Sequence, residues 1–291
     1  MAEPLTHLPA DTTLGPVRLR AGDLDRMAAF YMRAVGLHEL GRSGPEVLLG
    51  TGDGTVLVEL EGDPSAPARP ARTTGLFHQA ILVPSRADLG VALRRVLDAG
   101  WQFTGASDHL VSEALYLDDH EGNGIEIYRD RPREEWRHDD SGALEMATLP
   151  MDVEGVIAAA SPGTPDEGMP DGTVMGHVHL QVADVPEAER HYADGLGFDV
   201  TVRGYPGALF VSAGGYHHHL GLNTWGTRGA PPPPAGARGL VRYRVVVPTA
   251  ADLRAVGDRL DAAGVDAERR DGGLEVTDPS GNRALVEAAG D

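Results

Sequence analysis

Apolar and polar positions alternate in short segments along the chain, and each of these segments precedes a helical pattern. Val178, Leu180 and Val182 show the period of two expected for a half-buried strand. Residues 188–196 then place apolar side chains at helical spacing, and the predicted helix ends at Gly197. Short apolar runs bounded by Gly and Asp follow, as expected for strands joined by tight turns. The pattern predicts the element order β-α-β-β-β.

This order recurs four times along the chain. Residues 15–23 align with residues 176–184, and residues 75–89 align with residues 239–253. Each predicted helix closes at a glycine, namely Gly36, Gly100, Gly197 and Gly264. A repeat of this kind determines the whole fold. We therefore predict an α+β fold of four βαβββ modules.

Clusters of turn residues mark the expected boundaries. We predict an N-terminal domain over residues 1–140 with modules 1 and 2, a linker over residues 141–172, and a C-terminal domain over residues 173–291 with modules 3 and 4. Residues 151–160 in the linker are expected to form a short helix. The four prolines at 231–234 predict a stiff surface loop, because proline cannot join the interior of a sheet.

Composition limits the classes of function. The chain of 291 residues is long enough for two domains with cores of their own, and it has no cysteine for a disulfide or a thiolate metal site. Its net charge of −19 argues against nucleic acid or an anionic membrane surface as a partner, since both need clusters of basic residues. No apolar stretch resembles a signal peptide or a membrane span, so we expect a cytoplasmic protein.

Three polar residues lie in segments that otherwise read as apolar strands: His78, Glu126 and His177. Two imidazoles and one carboxylate on one face of a metal, with the other positions open, form the facial triad that favours non-haem Fe(II). A lone histidine on such a strand is more often part of the core or the surface. Burying a carboxylate without a partner is unfavourable, which makes Glu126 the less ordinary residue. His179 shares the strand face of His177 and is the main rival ligand.

The chain resembles the vicinal oxygen chelate superfamily and, within it, the two-domain extradiol enzymes of the bacterial catechol 2,3-dioxygenase type. The resemblance rests on residues 112–117 (SEALYL), 119–126 (DHEGNGIE), 131–136 (RPREEW), 176–180 (GHVHL) and 212–223 (SAGGYHHHLGLN). It covers nearly the whole chain. It implies that pairs of modules form two cups, with metal ligands on the first strand of each module and on the last strand of one or both.

Aligned on the superfamily, the first-strand positions hold Pro16, His78, His177 and Arg242, and the last-strand positions of modules 2 and 4 hold Glu126 and Leu285. Proline and leucine have no ligand atom in the side chain, and arginine stays protonated. The resemblance therefore implies one metal site, formed by His78, Glu126 and His177. Modules 2 and 3 would share this cup, and modules 1 and 4 the other.

Proton-transfer roles also follow from the resemblance. His218 matches a proton-shuttling histidine; its polar run 216–219 is interpreted as part of a strand, with His218 on the face opposite to its neighbours. Tyr116 and His109 match groups that contact a diol oxygen, and Asp108 is expected to orient His109. The histidine run as a surface feature, Tyr116 as a packed aromatic and His109 as a loop residue remain open alternatives. The residues interpreted as ordinary surface groups are His7, His38, Glu59, His191 and Glu287.

The resemblance implies Fe(II)- and O2-dependent extradiol cleavage of catechol-type substrates to muconic semialdehydes, with Mn(II) as the alternative metal. It implies a small aromatic diol and O2 as partners, and a homo-oligomer. Two other classes stay open. A glyoxalase-like isomerase or lyase usually has four protein ligands, and a metal-free protein that sequesters a drug in its cup needs none.

Overall fold

The computed structural model describes residues 7–140, 142–160 and 167–290. Module 1 contains β1 (Thr13–Ala21), α1 (Leu24–Phe30) with a π-helical turn (Tyr31–Val35), β2 (His38–Ser43), β3 (Glu46–Gly50) and β4 (Val56–Gly62). Module 2 contains β5 (Gly75–Leu82), α2 (Arg86–Asp98), β6 (Gly105–Asp108), β7 (Ser112–Asp118) and β8 (Gly124–Asp130). A 3-10 turn (Arg133–Glu135), β9 (Leu149–Pro150) and α3 (Val153–Ala159) follow.

Module 3 contains β10 (Val174–Gln181), α4 (Val185–Glu189) with a π-helical turn (Arg190–Gly195), β11 (Asp199–Val202), β12 (Ala208–Ser212) and β13 (Leu220–Asn223). Module 4 contains β14 (Gly239–Val247), α5 (Ala250–Ala263), β15 (Ala267–Arg270), β16 (Gly273–Thr277) and β17 (Arg283–Ala288). The predicted fourfold βαβββ order is confirmed, and α3 confirms the short helix expected in the linker. Residues 161–166 of that linker lie outside the described residues.

The strands form two sheets, and each sheet combines both halves of the sequence. One has the strand order β15-β16-β17-β14-β1-β4-β3-β2, and the other has the order β11-β12-β13-β10-β5-β8-β7-β6-β9. At the centre of each sheet, a first strand from one half pairs antiparallel with a first strand from the other, β1 with β14 and β10 with β5. Modules 1 and 4 therefore share one sheet and modules 2 and 3 the other, which is the pairing predicted above.

Helix ends form where the sequence indicated. Thr249 and Asp252 exchange side-chain and backbone hydrogen bonds at the start of α5, a capping box that satisfies two otherwise free amides. The glycines that close the four module helices have positive φ of 93° at Gly36, 72° at Gly100, 89° at Gly197 and 67° at Gly264. Glycine enters this left-handed region without steric cost, so the chain can turn into the next strand. Among the described helices, none is both long and apolar enough to cross a bilayer.

Two matching turns tie the modules of each half together. The Asp119 carboxylate accepts backbone N–H groups of its own turn, and the hydroxyl of Tyr31 donates to it at 3.2 Å. In the other half, the Tyr192 hydroxyl donates to Asp278 at 2.9 Å. The turn at Asp119 directly precedes β8, so it fixes where Glu126 enters the sheet.

The sheet of modules 1 and 4 is held together by ion pairs at its centre. The Arg244 guanidinium donates to Glu59 at 2.6 Å and to Glu287 at 3.1 Å. Glu59 is buried, so its interpretation as a surface charge was wrong. Two cations accompany it, Arg244 of module 4 at 2.6 Å and Arg18 of module 1 at 3.7 Å. His191 is also buried rather than exposed, and burial lowers its pKa to about 4.

Candidate active site

The three predicted ligands lie on adjacent strands of the nine-stranded sheet. His177 on β10 and Glu126 on β8 flank Ala80 of β5 in one cross-strand row. His78 lies two residues before Ala80 and therefore on the same face of β5. The small side chain of Ala80 leaves room between its neighbours. In the other sheet, Arg244 lies at the position that corresponds to Ala80. Its side chain and the ion pairs that it forms fill the space that Ala80 leaves open.

The ligand atoms converge at a spacing that suits a metal ion. Glu126 Oε2 lies 3.0 Å from His78 Nε2 and 3.1 Å from His177 Nε2, and the three residues offer ligand atoms within 4.8 Å of one another. Two ligand atoms at 2.0–2.2 Å from a metal and at right angles to each other are about 2.8–3.1 Å apart. His78 Nε2 is buried and, despite this proximity, has no hydrogen-bond partner among the described residues. The donor set therefore fits a divalent ion with open positions.

His177 and Glu126 are both held in the protonation state that binds a metal. Burial lowers the pKa of His177 to about 4, which leaves its imidazole neutral at pH 7. Burial alone would raise the pKa of Glu126, but the imidazoles of His177 and His78 hold it well below the usual range. A neutral imidazole and an ionised carboxylate need to release no proton before they coordinate a cation.

Gly176 allows the close packing that orients His177. A Cβ at this position would lie 1.8 Å from the hydroxyl oxygen of Tyr128, so a larger residue would displace that ring. The ring centroids of Tyr128 and His177 are 4.7 Å apart, and the Tyr128 hydroxyl forms a 2.7 Å hydrogen bond with that of Tyr216. The packed Tyr128 ring therefore limits the orientations that His177 can adopt.

The rival ligand His179 lies beside the three-residue group without joining it. Its ring centroid is 4.9 Å from that of His78, and its Nε2 is buried with no hydrogen-bond partner among the described residues. The cluster of three convergent ligand residues in the described part of the chain does not contain it. His179 instead lines the cavity in front of the ligands.

His218 lies in the loop between β12 and β13, so its assignment to a strand was wrong. Gly214 and Gly215, both with positive φ, turn the chain before it. Its predicted separation from His217 was also wrong, because the two Nδ1 atoms are 2.8 Å apart. His217 Nε2 in turn lies 2.9 Å from a carboxylate oxygen of Asp130. No sequence signal indicates this row of hydrogen bonds, since His217 and Asp130 are 87 residues apart.

The hydrogen bonds that link Asp130, His217 and His218 determine the tautomers of both imidazole rings. The Asp130 carboxylate can only accept, so His217 carries its proton on Nε2 and accepts through Nδ1. The neighbouring Nδ1 of His218 must then be the donor, which leaves His218 Nε2 with a free lone pair. Burial, followed by the nearby imidazoles, lowers the pKa of His218 well below its usual value, so the ring is neutral at pH 7. Its ring centroid is 4.1 Å from that of His177, and it lines the same cavity.

Tyr116 and His109 form a second polar pair at the cavity. His109 Nε2 lies 2.6 Å from the Tyr116 hydroxyl, and His109 Nδ1 lies 2.7 Å from the backbone oxygen of Ala147. Because a carbonyl only accepts, Nδ1 is the donor and Nε2 accepts from Tyr116. Asp108 does not orient His109 as predicted: its carboxylate bonds to Arg131 at 2.6 Å. Burial and the Glu126 charge raise the pKa of Tyr116 well above its usual value.

A cavity of about 410 Å³ lies in front of the ligands and brings the predicted residues together. The predicted site residues that line it are His78, His109, Tyr116, Glu126, His177 and His218. Its remaining wall is mainly apolar, with Phe77, Phe210 and Trp225 on one side. None of these aromatic residues stands out in the sequence, because each has the pattern of an ordinary strand or loop side chain.

Comparisons with known proteins place the chain in a family. The sequence model of the glyoxalase/bleomycin resistance protein/dioxygenase superfamily matches residues 13–127 and 174–286. A protein of Bacillus subtilis (strain 168) named catechol-2,3-dioxygenase is 45% identical over 282 residues, which are 94% of this chain and 96% of that protein.

Solved structures show the same fold at low sequence identity. A protein of Bacillus subtilis subsp. subtilis str. 168 superposes with a TM-score of 0.63 at 12% identity, covering 95% of this chain and 84% of that one. Glyoxalase I from Zea mays superposes with a TM-score of 0.59 at 17% identity, covering 95% of this chain and 92% of that one. These two similarities bear on the fold alone.

Proposed function

The chain belongs to the glyoxalase/bleomycin resistance protein/dioxygenase superfamily, and we propose that it is an extradiol dioxygenase that cleaves catechol-type diols to muconic semialdehydes with Fe(II) and O2. The observation that carries the proposal is the convergence of three ligand atoms, from His78, Glu126 and His177, on the floor of an apolar cavity. The name of the 45% identical relative supports the same reaction class.

These three residues would hold the metal and leave the other coordination positions to the substrates. Bound there, Fe(II) supplies a Lewis acid and an electron relay between the diol and dioxygen. The protein contributes a rigid frame, because the ligands come from three hydrogen-bonded strands rather than from loops. The three ligand side chains are also buried, which limits the access of bulk water to the metal position.

Tyr116 and His109 would receive the proton that the diol loses on binding. The Tyr116 hydroxyl donates to His109 Nε2, so the lone pairs of its oxygen remain available to accept from a substrate hydroxyl. Tyr116 can pass its proton to His109 as it takes one from the diol. The Ala147 carbonyl supports this transfer, because it also accepts from the protonated imidazole.

His218 would transfer a proton at the opposite side of the cavity. Its Nε2 lone pair makes it a base first and an acid afterwards, once it holds a proton. The positive charge that develops on the ring is balanced through His217 by Asp130. This arrangement lets a neutral, buried histidine accept a proton that it later returns to the substrate.

The alternative functions are less well supported by the site. A glyoxalase-like isomerase or lyase usually binds its metal through four protein ligands, and the described residues offer three. A drug-binding protein without a metal does not need a buried carboxylate between two imidazoles. That arrangement is costly to bury unless a cation accompanies it.

The proposal is tested by anaerobic reconstitution of metal-free protein with Fe(II), followed by oxygen uptake and product analysis with catechol. We expect one O2 consumed for each catechol opened, and we expect Glu126→Gln to bind iron weakly and to be inactive. Fully iron-loaded protein that consumes no O2 would contradict the proposal. Isomerisation of a hemithioacetal with Ni(II) or Zn(II) would support the glyoxalase-like alternative, and failure to bind any of these metals would support a binding protein.

A further inference from the structure

The cavity wall beside the metal ligands is aromatic and carries no fixed positive charge. From this wall we infer that the preferred substrates are catechols with uncharged, apolar ring substituents, and that catechols bearing a carboxylate are rejected. The inference rests on the proposed function for the reacting diol. The substituent preference itself depends only on the wall.

Four aromatic rings contact one another in sequence along this wall, beginning at Phe77, whose ring centroid is 5.3 Å from that of His78. Ring centroids are 5.5 Å apart for Phe77 and Trp225, 6.3 Å for Trp225 and Tyr205, and 5.8 Å for Tyr205 and Phe210. Phe77 and Trp225 remain 38% exposed, which is unusual for large apolar side chains next to a buried polar site. A bound apolar substituent would cover this surface and remove it from water.

The polar atoms of the wall are already engaged with the protein. The Tyr205 hydroxyl forms a 2.8 Å hydrogen bond with that of Thr148, and Trp225 Nε1 donates to the carbonyl oxygen of Pro206 at 2.9 Å. These side chains therefore present ring faces to a ligand. His179 Nε2 adds one buried nitrogen without a hydrogen-bond partner among the described residues, which could bond to a polar group of the ligand.

The described lining holds no arginine or lysine side chain that could neutralise an anionic ring substituent. None of the described residues that line the cavity is an arginine, and the chain contains no lysine. The acidic residues of the lining are Asp118 and Glu126, and Arg131 nearby is paired with Asp108 at 2.6 Å. A carboxylate in this cavity would lose its hydration without gaining a counter-ion. The net charge of −19 adds to the repulsion during approach.

The first test compares kcat/KM of iron-loaded protein for catechol, 4-methylcatechol, 4-ethylcatechol and 3,4-dihydroxybenzoate. We expect a gain of about fourfold for each added carbon, the usual value for burying a methylene group. We expect 3,4-dihydroxybenzoate to be about 100-fold or more below catechol. Equal values for 3,4-dihydroxybenzoate and catechol, or a fall with each added carbon, would overturn the inference.

A second test introduces the missing cation at the cavity mouth. Thr148 is exposed there, and Thr148→Arg should raise kcat/KM for 3,4-dihydroxybenzoate relative to catechol by about two- to fivefold, as expected for a partly exposed ion pair. Thr55→Arg adds the same charge at an exposed turn outside the cavity and should leave the ratio unchanged. Equal shifts in both variants would mean that overall charge, and not the wall, sets the preference.

A binding measurement separates failure of this inference from failure of the proposed function. 4-Ethylphenol and 4-hydroxybenzoate lack adjacent hydroxyls, and their binding is measured by anaerobic calorimetry. Tighter binding of 4-ethylphenol supports the apolar wall even if no catechol is cleaved. Tighter binding of 4-hydroxybenzoate contradicts the inference even if catechol is a good substrate.

Discussion

Replacing His218 should separate proton transfer from metal binding. His218→Asn removes the titrating nitrogen but keeps a donor next to His217. Its side chain contributes no atom to the three-residue ligand group, so iron content should match that of the wild type. The loss of a positioned acid or base lowers turnover by about 10²–10⁴, equivalent to about 3–5 kcal/mol in the activation barrier.

The hydrogen-bond chain behind His218 predicts a smaller, graded effect one step further away. Asp130→Asn replaces a charged hydrogen bond to His217, typically about 1.5–3 kcal/mol, with a neutral one of about 0.5–1.5 kcal/mol. The difference corresponds to a fall of about tenfold in kcat. Asp140→Asn removes the same charge at an exposed position that is not part of these hydrogen bonds, and it should leave kcat unchanged.

The assay is oxygen uptake at saturating catechol, with every sample adjusted to the same iron content by metal analysis. We expect turnover to be highest in Asp140→Asn, lower in Asp130→Asn and lowest in His218→Asn. If His218→Asn lost iron as readily as Glu126→Gln, the residue would be a ligand instead. Unchanged turnover in His218→Asn would refute its role in proton transfer.

Three further outcomes follow from the structure. His179→Phe should retain one metal per chain, measured by elemental analysis; a loss of metal would make His179 a ligand. Each half of the chain expressed alone, residues 1–140 or 173–291, should bind Fe(II) weakly and lack activity, because each sheet needs strands from both halves. A C-terminal fragment that bound one equivalent of Fe(II) and cleaved catechol would contradict the shared site. The urea midpoint of metal-free protein should rise from pH 5 to pH 7. Part of this rise comes from His191, whose pKa is about 4 in the folded and about 6.5 in the unfolded protein, so that the folded state binds fewer protons. His191→Asn should make the midpoint rise less steeply with pH, and an unchanged pH dependence of the midpoint would contradict this.

The internal repeat made the fold and the ligand positions predictable from the sequence. Because residues 15–23 match residues 176–184, the strands could be assigned equivalent places, and the resemblance then singled out the places that hold ligand atoms. His78, Glu126 and His177 converge as this reasoning requires. Strand periodicity is a local property, so it is legible in a single sequence.

Features that depend on distant partners could not be read in the same way. The buried Glu59 is hydrogen-bonded to Arg244, which lies 185 residues further along the chain. His109 is oriented by the backbone oxygen of Ala147. Every residue has such a carbonyl, so the sequence does not indicate which one binds His109. The run of residues 216–219 has the pattern of a strand although it lies in a loop, because two glycines that turn the chain do not by themselves fix where the next strand begins.

The most direct test of the proposed iron site is anomalous diffraction from crystals loaded anaerobically with Fe(II). We expect one iron peak per chain, about 2.0–2.2 Å from His78 Nε2, from His177 Nε2 and from a carboxylate oxygen of Glu126, with no further protein ligand. A peak coordinated by His179 or by the histidines at 217–219, or a site that lacks either His78 or Glu126, would contradict it.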